Sequence, residues 1–383
     1  MDFSWPEEYL NYKKQVVRFA KEELNDDILE NDRDGIFSKE KWQKCAQFGI
    51  QGLSVSKQYG GQDEKVDLLK SMLAMEAFGY GCRDNGLALA LNAQMWTVQL
   101  PLEHFGSEFL KEKYLTTATN GSKIACHALT EPEAGSDIYS MQSTATKVDG
   151  GYLLNGSKRL ITLAPIADWA LVFAYTNPKI KKWGLSAFIV DKESLGFTTS
   201  PVRDKMGMRT VPIGEIQFKD CFVPEENLVG KQGSGFSLMS YSMEYDRCCI
   251  LASQIGTMQR QLEETITFAK QRKQFGESIG KFQSVSNRIV EMKLRLETSR
   301  LLLYKVAWLK NKGKPAMMEA AMLKLHLGES FVQSSMDAIR NRGGNGYLTE
   351  FEIERDMRDA IGGVLYAGTS DIQRNVIASL LGL

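Results

Sequence analysis

Histidine is scarce in this sequence. Its 383 residues include three, at positions 104, 127 and 326, and no two of them have the spacing of zinc ligands. The six cysteines are scattered and form no CxxC motif, which favours reduced, buried thiols and a cytoplasmic location. We therefore expect no metal site.

An excess of charge is also missing. Lysine and arginine total 47, aspartate and glutamate total 47, and the formal net charge is zero, so nucleic acid is not an expected partner. No segment approaches the roughly 18 apolar residues of a membrane span. The chain begins without the basic and apolar regions of a secretory signal. We expect neither export nor a membrane partner.

Residues 1–120 have the pattern of a helical domain. Tyr9–Leu24 places apolar residues on one face among lysines and glutamates, which predicts an amphipathic helix. Met75–Leu91 and Met95–Phe105 are rich in alanine, leucine and methionine, which predicts two buried helices.

Residues 121–228 change to the pattern of strands. Val148–Tyr152 contains an Asp-Gly turn between extended runs, which predicts a hairpin. Further strands are predicted at Trp169–Tyr175, Trp183–Val190 and Ile213–Phe222. This zone is typical of a compact β-domain of the barrel or sandwich type.

Residues 229–383 return to the helical period. Within Gln283–Lys310, apolar or small residues recur in alternating steps of four and three, which predicts one helix of roughly 28 residues. A helix of that length must pack against similar helices, so a bundle is expected. Ligand sites are favoured at the seams between such domains.

Four short motifs are rich in glycine, hydroxyl or charged residues. The chain has neither GxxxxGK[ST] nor a GxGxxG after a strand, so a nucleotide would have to bind by another geometry. The motifs are Leu129–Asp137, Arg272–Gly276, Arg342–Tyr347 and Tyr366–Arg374. Each motif is weak evidence for a function when taken alone, but their order and separations together are more specific.

Together with Lys205–Arg209 and Glu215–Asn227, these motifs resemble the acyl-CoA dehydrogenase superfamily over essentially the whole chain. The resemblance implies a mainly α fold: an N-terminal helical domain, a middle β-barrel and a C-terminal four-helix bundle. It also implies a homotetramer that binds FAD between domains and across subunits.

The resemblance implies four groups of FAD contacts. The residues expected at the isoalloxazine and pyrophosphate are Leu129, Thr130, Gly135 and Ser136. Those expected along the flavin edge are Ile161 and Thr162. Those expected from a neighbouring subunit are Arg272, Phe275 and Gln283. Those expected at the nucleotide half are Gly343, Gly344, Thr369 and Asp371.

Three positions depart from the pattern of the superfamily. Leu160 stands where many members have a tryptophan over the flavin, and Arg340 stands where a glutamine commonly contacts FAD. The third is Ala367, between Tyr366 and Gly368 in the expected substrate-binding loop, where the common residue is the glutamate that removes the substrate α-proton. Alanine cannot accept a proton, although its backbone N–H can still donate to the substrate oxygen.

Two carboxylates are candidates to replace that base. Some members place the base on the first long helix of the bundle, just before a typical arginine, and Asp246 precedes Arg247 in this register. Glu244 lies two residues earlier, about 200° away around a helix, so at most one of the two acids faces the flavin. The alternative for Glu244 is an ion pair with Arg247 at i,i+3 spacing.

One subgroup lacks the usual glutamate, has the tail Tyr-(small)-Gly-Thr-Ser-Asp-Ile-Gln-Arg, and has a glutamate in this helix: the prolyl-carrier-protein oxidases of pyrrole and alkaloid assembly lines. The resemblance to this subgroup implies oxidation of proline, held as a thioester on a phosphopantetheinylated carrier protein, to a dehydroprolyl thioester. It favours Glu244 as the base, with Asp246 as the second candidate.

Other functions stay open on the sequence. A short-chain acyl-CoA dehydrogenase would use Asp246 on a CoA thioester. A flavin-binding scaffold without chemistry would also explain Ala367. A flavin monooxygenase or nitroalkane-type oxidase on the same fold is a further alternative.

Overall fold

The computed structural model describes residues 4–383. Eight helices precede the sheet: α1 Glu7–Glu23, α2 Ile28–Asp34, α3 Lys39–Phe48, α4 Leu68–Gly81, α5 Asn85–Gln94, α6 Leu100–Phe105, α7 Glu108–Leu110 and α8 Thr116–Thr119. A π-helical segment, Met95–Gln99, joins α5 to α6. Helices α9 Gly235–Cys249, α10 Ala252–Gln271, α11 Gln283–Asn311, α12 Met317–Arg342, α13 Ile353–Gly363 and α14 Ser370–Leu380 follow the sheet.

The predicted amphipathic helix and the helical nature of Met95–Phe105 are confirmed, but the single helix predicted over Met75–Leu91 is wrong. Helix α4 ends at Gly81, and Asp84 then caps α5 by accepting a hydrogen bond from the backbone N–H of Leu87 at 3.0 Å. An aspartate side chain that satisfies a free N–H favours a new helix start over a continuous helix. None of the described helices is long and apolar enough to cross a membrane.

The middle zone is a sheet of eight strands: β1 Ala125–Ala128, β2 Thr144–Val148, β3 Gly151–Thr162, β4 Trp169–Tyr175, β5 Leu185–Asp191, β6 Phe197–Thr199, β7 Ile213–Pro224 and β8 Leu228–Val229. The order is β6-β7-β3-β2-β4-β5-β8, and β1 pairs with β4 in parallel. The predicted hairpin is confirmed as β2–β3, with Val148 opposite Gly151. Among residues 4–383, β6 and β8 each pair on one side, so the pairing shows a sheet and not a closed barrel.

The predicted long helix is confirmed as α11. It packs against α12 and α10, while α9, α13 and α14 pack on α12. A short hairpin, β9 Lys273–Gln274 and β10 Glu277–Ser278, connects α10 to α11. Helix α9 also contacts the π-helical segment, α6 and β5, and therefore lies where the three zones meet.

Helices α4 and α10 cross at two glycines. A Cβ added to Gly79 would lie 1.8 Å from the carbonyl oxygen of Ser253, and one added to Gly256 would lie 1.9 Å from that of Glu76. No real side chain tolerates such distances, so only glycine permits this crossing. The crossing presses the N-terminal helices directly against the bundle.

Buried polar groups also hold the N-terminal helices against the bundle. The carboxylate of Asp356 in α13 accepts hydrogen bonds from Asn85 at 3.0 Å, Gln261 at 3.1 Å and Arg260 at 3.4 Å. Arg260 also donates to the carbonyl of Gly79 at 3.1 Å. One carboxylate therefore joins helices from both ends of the chain.

Asp356→Ala is expected to destabilise the protein strongly, because it leaves the buried guanidinium of Arg260 without its counter-charge. Breaking such a pair costs about 3–5 kcal/mol. Urea and thermal unfolding measure the loss. Glu22→Ala is the control, because Glu22 pairs with Arg18 on the surface and such pairs contribute less than about 1 kcal/mol. If the two variants lost equal free energies of unfolding, the role of Asp356 in joining the helices would be contradicted.

Candidate active site

Helix α9 carries both candidate bases, and the structure separates them clearly. Asp246 keeps part of its surface accessible, whereas its carboxylate oxygen Oδ1 is fully buried and has no hydrogen-bond partner among residues 4–383. Burial raises the pKa of Asp246 to about 7, against the opposing positive charges of Arg247 and Lys324. Asp246 is thus an unpaired carboxylate with an accessible face.

Lys324 of α12 is a buried charged residue within electrostatic reach of Asp246. Its side chain has no exposed surface, and its ammonium group finds no hydrogen-bond acceptor in the described part of the chain. Burial lowers the pKa of Lys324 to about 8, while the negative charges of Asp246 and Glu329 raise it. The two opposite charges therefore influence each other without direct contact. Nothing in the sequence marked Lys324, because it occupies an ordinary helical position.

Glu244 lies on a different side of α9. Its carboxylate forms an ion pair with Lys310 of α11 at 2.9 Å, and the two side chains are 19% and 11% exposed. The same ammonium lies 4.3 Å from the ring centroid of Tyr245. A cavity of about 790 Å³ opens beside Tyr241, Tyr245 and Lys310. The ion pair anticipated for Glu244 exists, but with Lys310 and not with Arg247.

The Tyr366–Gly368 loop adjoins Asp246. Burial raises the pKa of the Tyr366 hydroxyl, and the negative charge of Asp246 raises it further, which places the two groups within electrostatic reach. Gln373 donates to the carbonyls of Ala367 and Gly368, both at 3.1 Å. Ala367 has a φ of 56°, in the left-handed region. Asp246 therefore acts on Tyr366 more strongly than Asp359 does, and Glu244 is not among the groups that shift the pKa of Tyr366.

The Leu129–Ser136 segment is fastened to β3 by a buried ion pair that sequence reasoning missed. The ammonium of Lys158 donates to the carboxylate of Glu131 at 2.8 Å and to the carbonyl of Leu129 at 3.2 Å. The backbone N–H of Arg159 donates to the carbonyl of Thr130 at 2.8 Å. Because Ile161 and Thr162 continue the same strand, the two predicted flavin-contact groups come together on β3.

The remaining predicted contacts lie at three other places: the β9–β10 hairpin, the end of α12 and the start of α14. Arg272 and Gln283 flank the β9–β10 hairpin, and Phe275 at its turn is 95% exposed. Gly343 and Gly344 follow α12, and a Cβ added to either would meet no atom within 4 Å. The other members of the nucleotide group are the half-buried Thr369 and the exposed Asp371, at the start of α14. Arg340, where a glutamine commonly contacts FAD in the superfamily, is exposed near the end of α12.

Three family models match the chain in sequence order. They are the N-terminal domain of acyl-CoA dehydrogenase at residues 6–122, the middle domain at 126–221 and the C-terminal domain at 233–382. The chain belongs to the acyl-CoA dehydrogenase family. The family resemblance seen in the sequence is thereby confirmed.

Individual relatives are similar over the full length of this family member. The L-prolyl peptidyl-carrier-protein dehydrogenase of Serratia sp. (strain ATCC 39006) is 42% identical over 383 residues, which is 100% of this chain and 99% of the relative. The crystal structure of the prolyl acyl carrier protein oxidase AnaB has a TM-score of 0.97 and 46% identity, covering 99% of this chain and 100% of that one. A structure of PigA with FAD and proline has a TM-score of 0.97 and 42% identity, with 100% of both chains covered.

Asp246→Asn is expected to stabilise the protein increasingly as the pH rises from about 4 to 7. In this window the unfolded aspartate is ionised and the folded one is protonated, so wild-type stability falls with rising pH, by at most about 1.4 kcal/mol per pH unit. Thermal midpoints of wild type and variant across this window measure the difference. Asp34→Asn is the control: hydrogen bonds from Arg33 lower the pKa of Asp34, so this variant is expected to be less stable than wild type by an amount that stays nearly constant above about pH 4. A difference between wild type and Asp246→Asn that does not vary with pH would disprove the burial of this charge.

Proposed function

We propose that this protein is an FAD-dependent enzyme that oxidises a prolyl thioester on a phosphopantetheinylated carrier protein, in natural-product biosynthesis. The product is a dehydroprolyl thioester, which can tautomerise to the 1-pyrroline-5-carboxyl thioester. The proposal is supported by full-length relatives named for prolyl carrier-protein dehydrogenation or oxidation, and by the loss of the common base at Ala367.

The residues present fit FAD. The glycines at 135, 343 and 344 leave open space where a Cβ would stand, which suits close approach of a ligand to the backbone. Leu160, within β3 and next to Ile161, is 61% exposed, and a flat ring would cover this large apolar side chain. When bound, FAD supplies the hydride acceptor.

The exposed Phe275 suits a contact with a neighbouring subunit, and we propose a homotetramer in the cytoplasm.

We propose Asp246 as the base, in preference to Glu244. A base must reach the α-hydrogen and must be free to accept a proton at neutral pH. Glu244 is engaged by Lys310, whereas Asp246 has a free carboxylate oxygen and a pKa raised to about 7. That unpaired carboxylate beside the Tyr366–Gly368 loop is the observation that carries the assignment.

The surroundings of Asp246 have two opposing effects on its protonation. Burial favours the protonated acid, so that proton uptake from the substrate is not opposed by solvation of the carboxylate. Lys324 and Arg247 counter this effect, which keeps a useful fraction ionised near pH 7. The backbone N–H of Ala367 is placed by this proposal at the thioester oxygen, where negative charge develops.

A carrier protein loaded with proline is expected to bleach the flavin of the enzyme and to lose two hydrogens. Anaerobic flavin absorbance and intact-protein mass spectrometry of the carrier measure the two outcomes. Butyryl-CoA is the comparison substrate and is expected to leave the flavin oxidised. Bleaching by butyryl-CoA alone would support a short-chain acyl-CoA dehydrogenase, and bleaching by neither substrate would support a non-catalytic scaffold.

Asp246→Asn is expected to slow flavin reduction by the prolyl carrier by about 10²- to 10⁴-fold, because no base remains. Glu244→Gln, two residues away on the same helix, is expected to stay within tenfold of wild type. Stopped-flow reduction measures both variants after FAD content is matched by absorbance. The wild-type rate is expected to rise with pH through about 7, as Asp246 ionises. Loss of reduction in Glu244→Gln with retention in Asp246→Asn would restore the assignment favoured by the sequence.

A further inference from the structure

The connection between β4 and β5 presents a cluster of cations and apolar side chains to solvent. Lys179, Lys181 and Lys182 lie within it, and Ile180 and Trp183 are 51% and 58% exposed. The sequence predicts that a strand begins at Trp183, but β5 begins at Leu185, which leaves Trp183 in the connection. We call residues 179–183 the lysine loop.

The lysine loop is closed at its base. The backbone N–H groups of Thr176 and Asn177 donate to the carbonyl of Gly184 at 2.9 and 3.2 Å. A Cβ on Gly184 would lie 1.8 Å from the carbonyl oxygen of Asn177, so the two ends of the loop approach as closely as backbone allows. A loop held in this way loses little conformational entropy when a partner binds.

The ammonium of Lys182 lies 5.1 Å from the ring centroid of Trp183 and 4.8 Å from that of Phe236, but no carboxylate pairs with the lysine loop in the described chain. Neither its three ammonium groups nor that of the exposed Lys231 has a carboxylate oxygen of residues 4–383 within 4.0 Å. Lys231 belongs to this surface, because residues 231–233, which precede α9, contact Trp183. A Cβ added to Gly233 would lie 2.8 Å from the carbonyl oxygen of Trp183. In a chain of zero net charge, this is a local positive surface that attracts anions.

A line of aromatic rings leads from the lysine loop towards the site. Trp183 packs edge-on against Phe236 of α9 at 5.4 Å, and Phe236 lies 6.1 Å from Tyr139. The positive charge of Arg247 opposes the rise in the pKa of Tyr139, so Arg247 lies within electrostatic reach of that ring. Arg247 is the neighbour of Asp246. The rings therefore lead from the loop to Tyr139, which is within electrostatic reach of the residue that follows the proposed base.

We propose that the lysine loop, with Lys231, is the docking surface for the carrier protein, whose acidic face and phosphopantetheine phosphate it binds. Positive charge and exposed aromatic surface at the entrance complement an acidic protein that delivers an arm inward along the rings. The inference rests on the proposed function, since it identifies where that substrate docks.

The triple variant Lys179→Glu, Lys181→Glu, Lys182→Glu tests the docking surface. Its Kd for a fluorescently labelled acidic peptidyl carrier protein loaded with proline is expected to rise at least tenfold, measured by anisotropy. The KM for the same carrier is expected to rise similarly, with kcat little changed. Because the interaction is between exposed charges, the salt dependence of kcat/KM is expected to be weaker in the variant than in wild type.

Two controls separate docking from other effects. Lys312→Glu with Lys314→Glu changes two lysines on the exposed turn between α11 and α12, and is expected to leave carrier binding unchanged. A small prolyl-pantetheine thioester lacks the carrier protein, and the triple variant is expected to oxidise it as wild type does. Glutamine at the three loop positions is expected to give a smaller loss than glutamate.

The outcomes separate the docking proposal from the proposed function. Unchanged anisotropy in the triple variant would overturn the docking surface, and so would equal losses with the carrier and with the small thioester. Loss of binding in the triple variant, with no oxidation of either substrate by wild type, would uphold the docking surface and overturn the proposed reaction.

Discussion

Charge that is buried without a direct partner is the constraint around which the site is built. Lys324 is fully buried and Asp246 is half-buried, and in the described chain neither the Lys324 ammonium nor the buried Oδ1 of Asp246 has a hydrogen-bond partner. Desolvation of such groups costs several kcal/mol, which packing elsewhere must offset. The carboxylate of Asp246, which has no hydrogen-bond partner among residues 4–383, is thereby left free to take up a proton. The local cost in stability is therefore the condition for reactivity.

Helix α9 has two similar acids whose charge states differ because their surroundings differ. Glu244 and Asp246 are two residues apart, yet one is neutralised by Lys310 and the other is left to titrate near neutral pH. The same helix contributes Phe236 to the aromatic line at its other end. The proposed docking surface and the proposed base are thus connected through one helix.

The sequence predicts elements well where apolar residues have a clear period. The stripe of Gln283–Lys310 predicts α11 to within one residue, because a helix that buries one face keeps that period. Met75–Leu91 was predicted wrongly because α4 and α5 are buried on nearly all sides, so no period marks the break at Asp84. The family motifs predict the residues along β3, and the structure does bring Leu129–Thr130 and Ile161–Thr162 together. The preference between Glu244 and Asp246 needed Lys310 and Lys324, which lie on helices far along the chain and become neighbours only in the fold.

The crossing of α4 and α10 also constrains how the protein unfolds. With Gly79 and Gly256 in backbone contact, the two helices cannot slide or tilt without collision. The helical zones before and after the sheet are consequently one mechanical body, although more than a hundred residues of β-structure separate them in sequence. We therefore expect the two helical zones to unfold together, with the sheet inserted between them in the sequence.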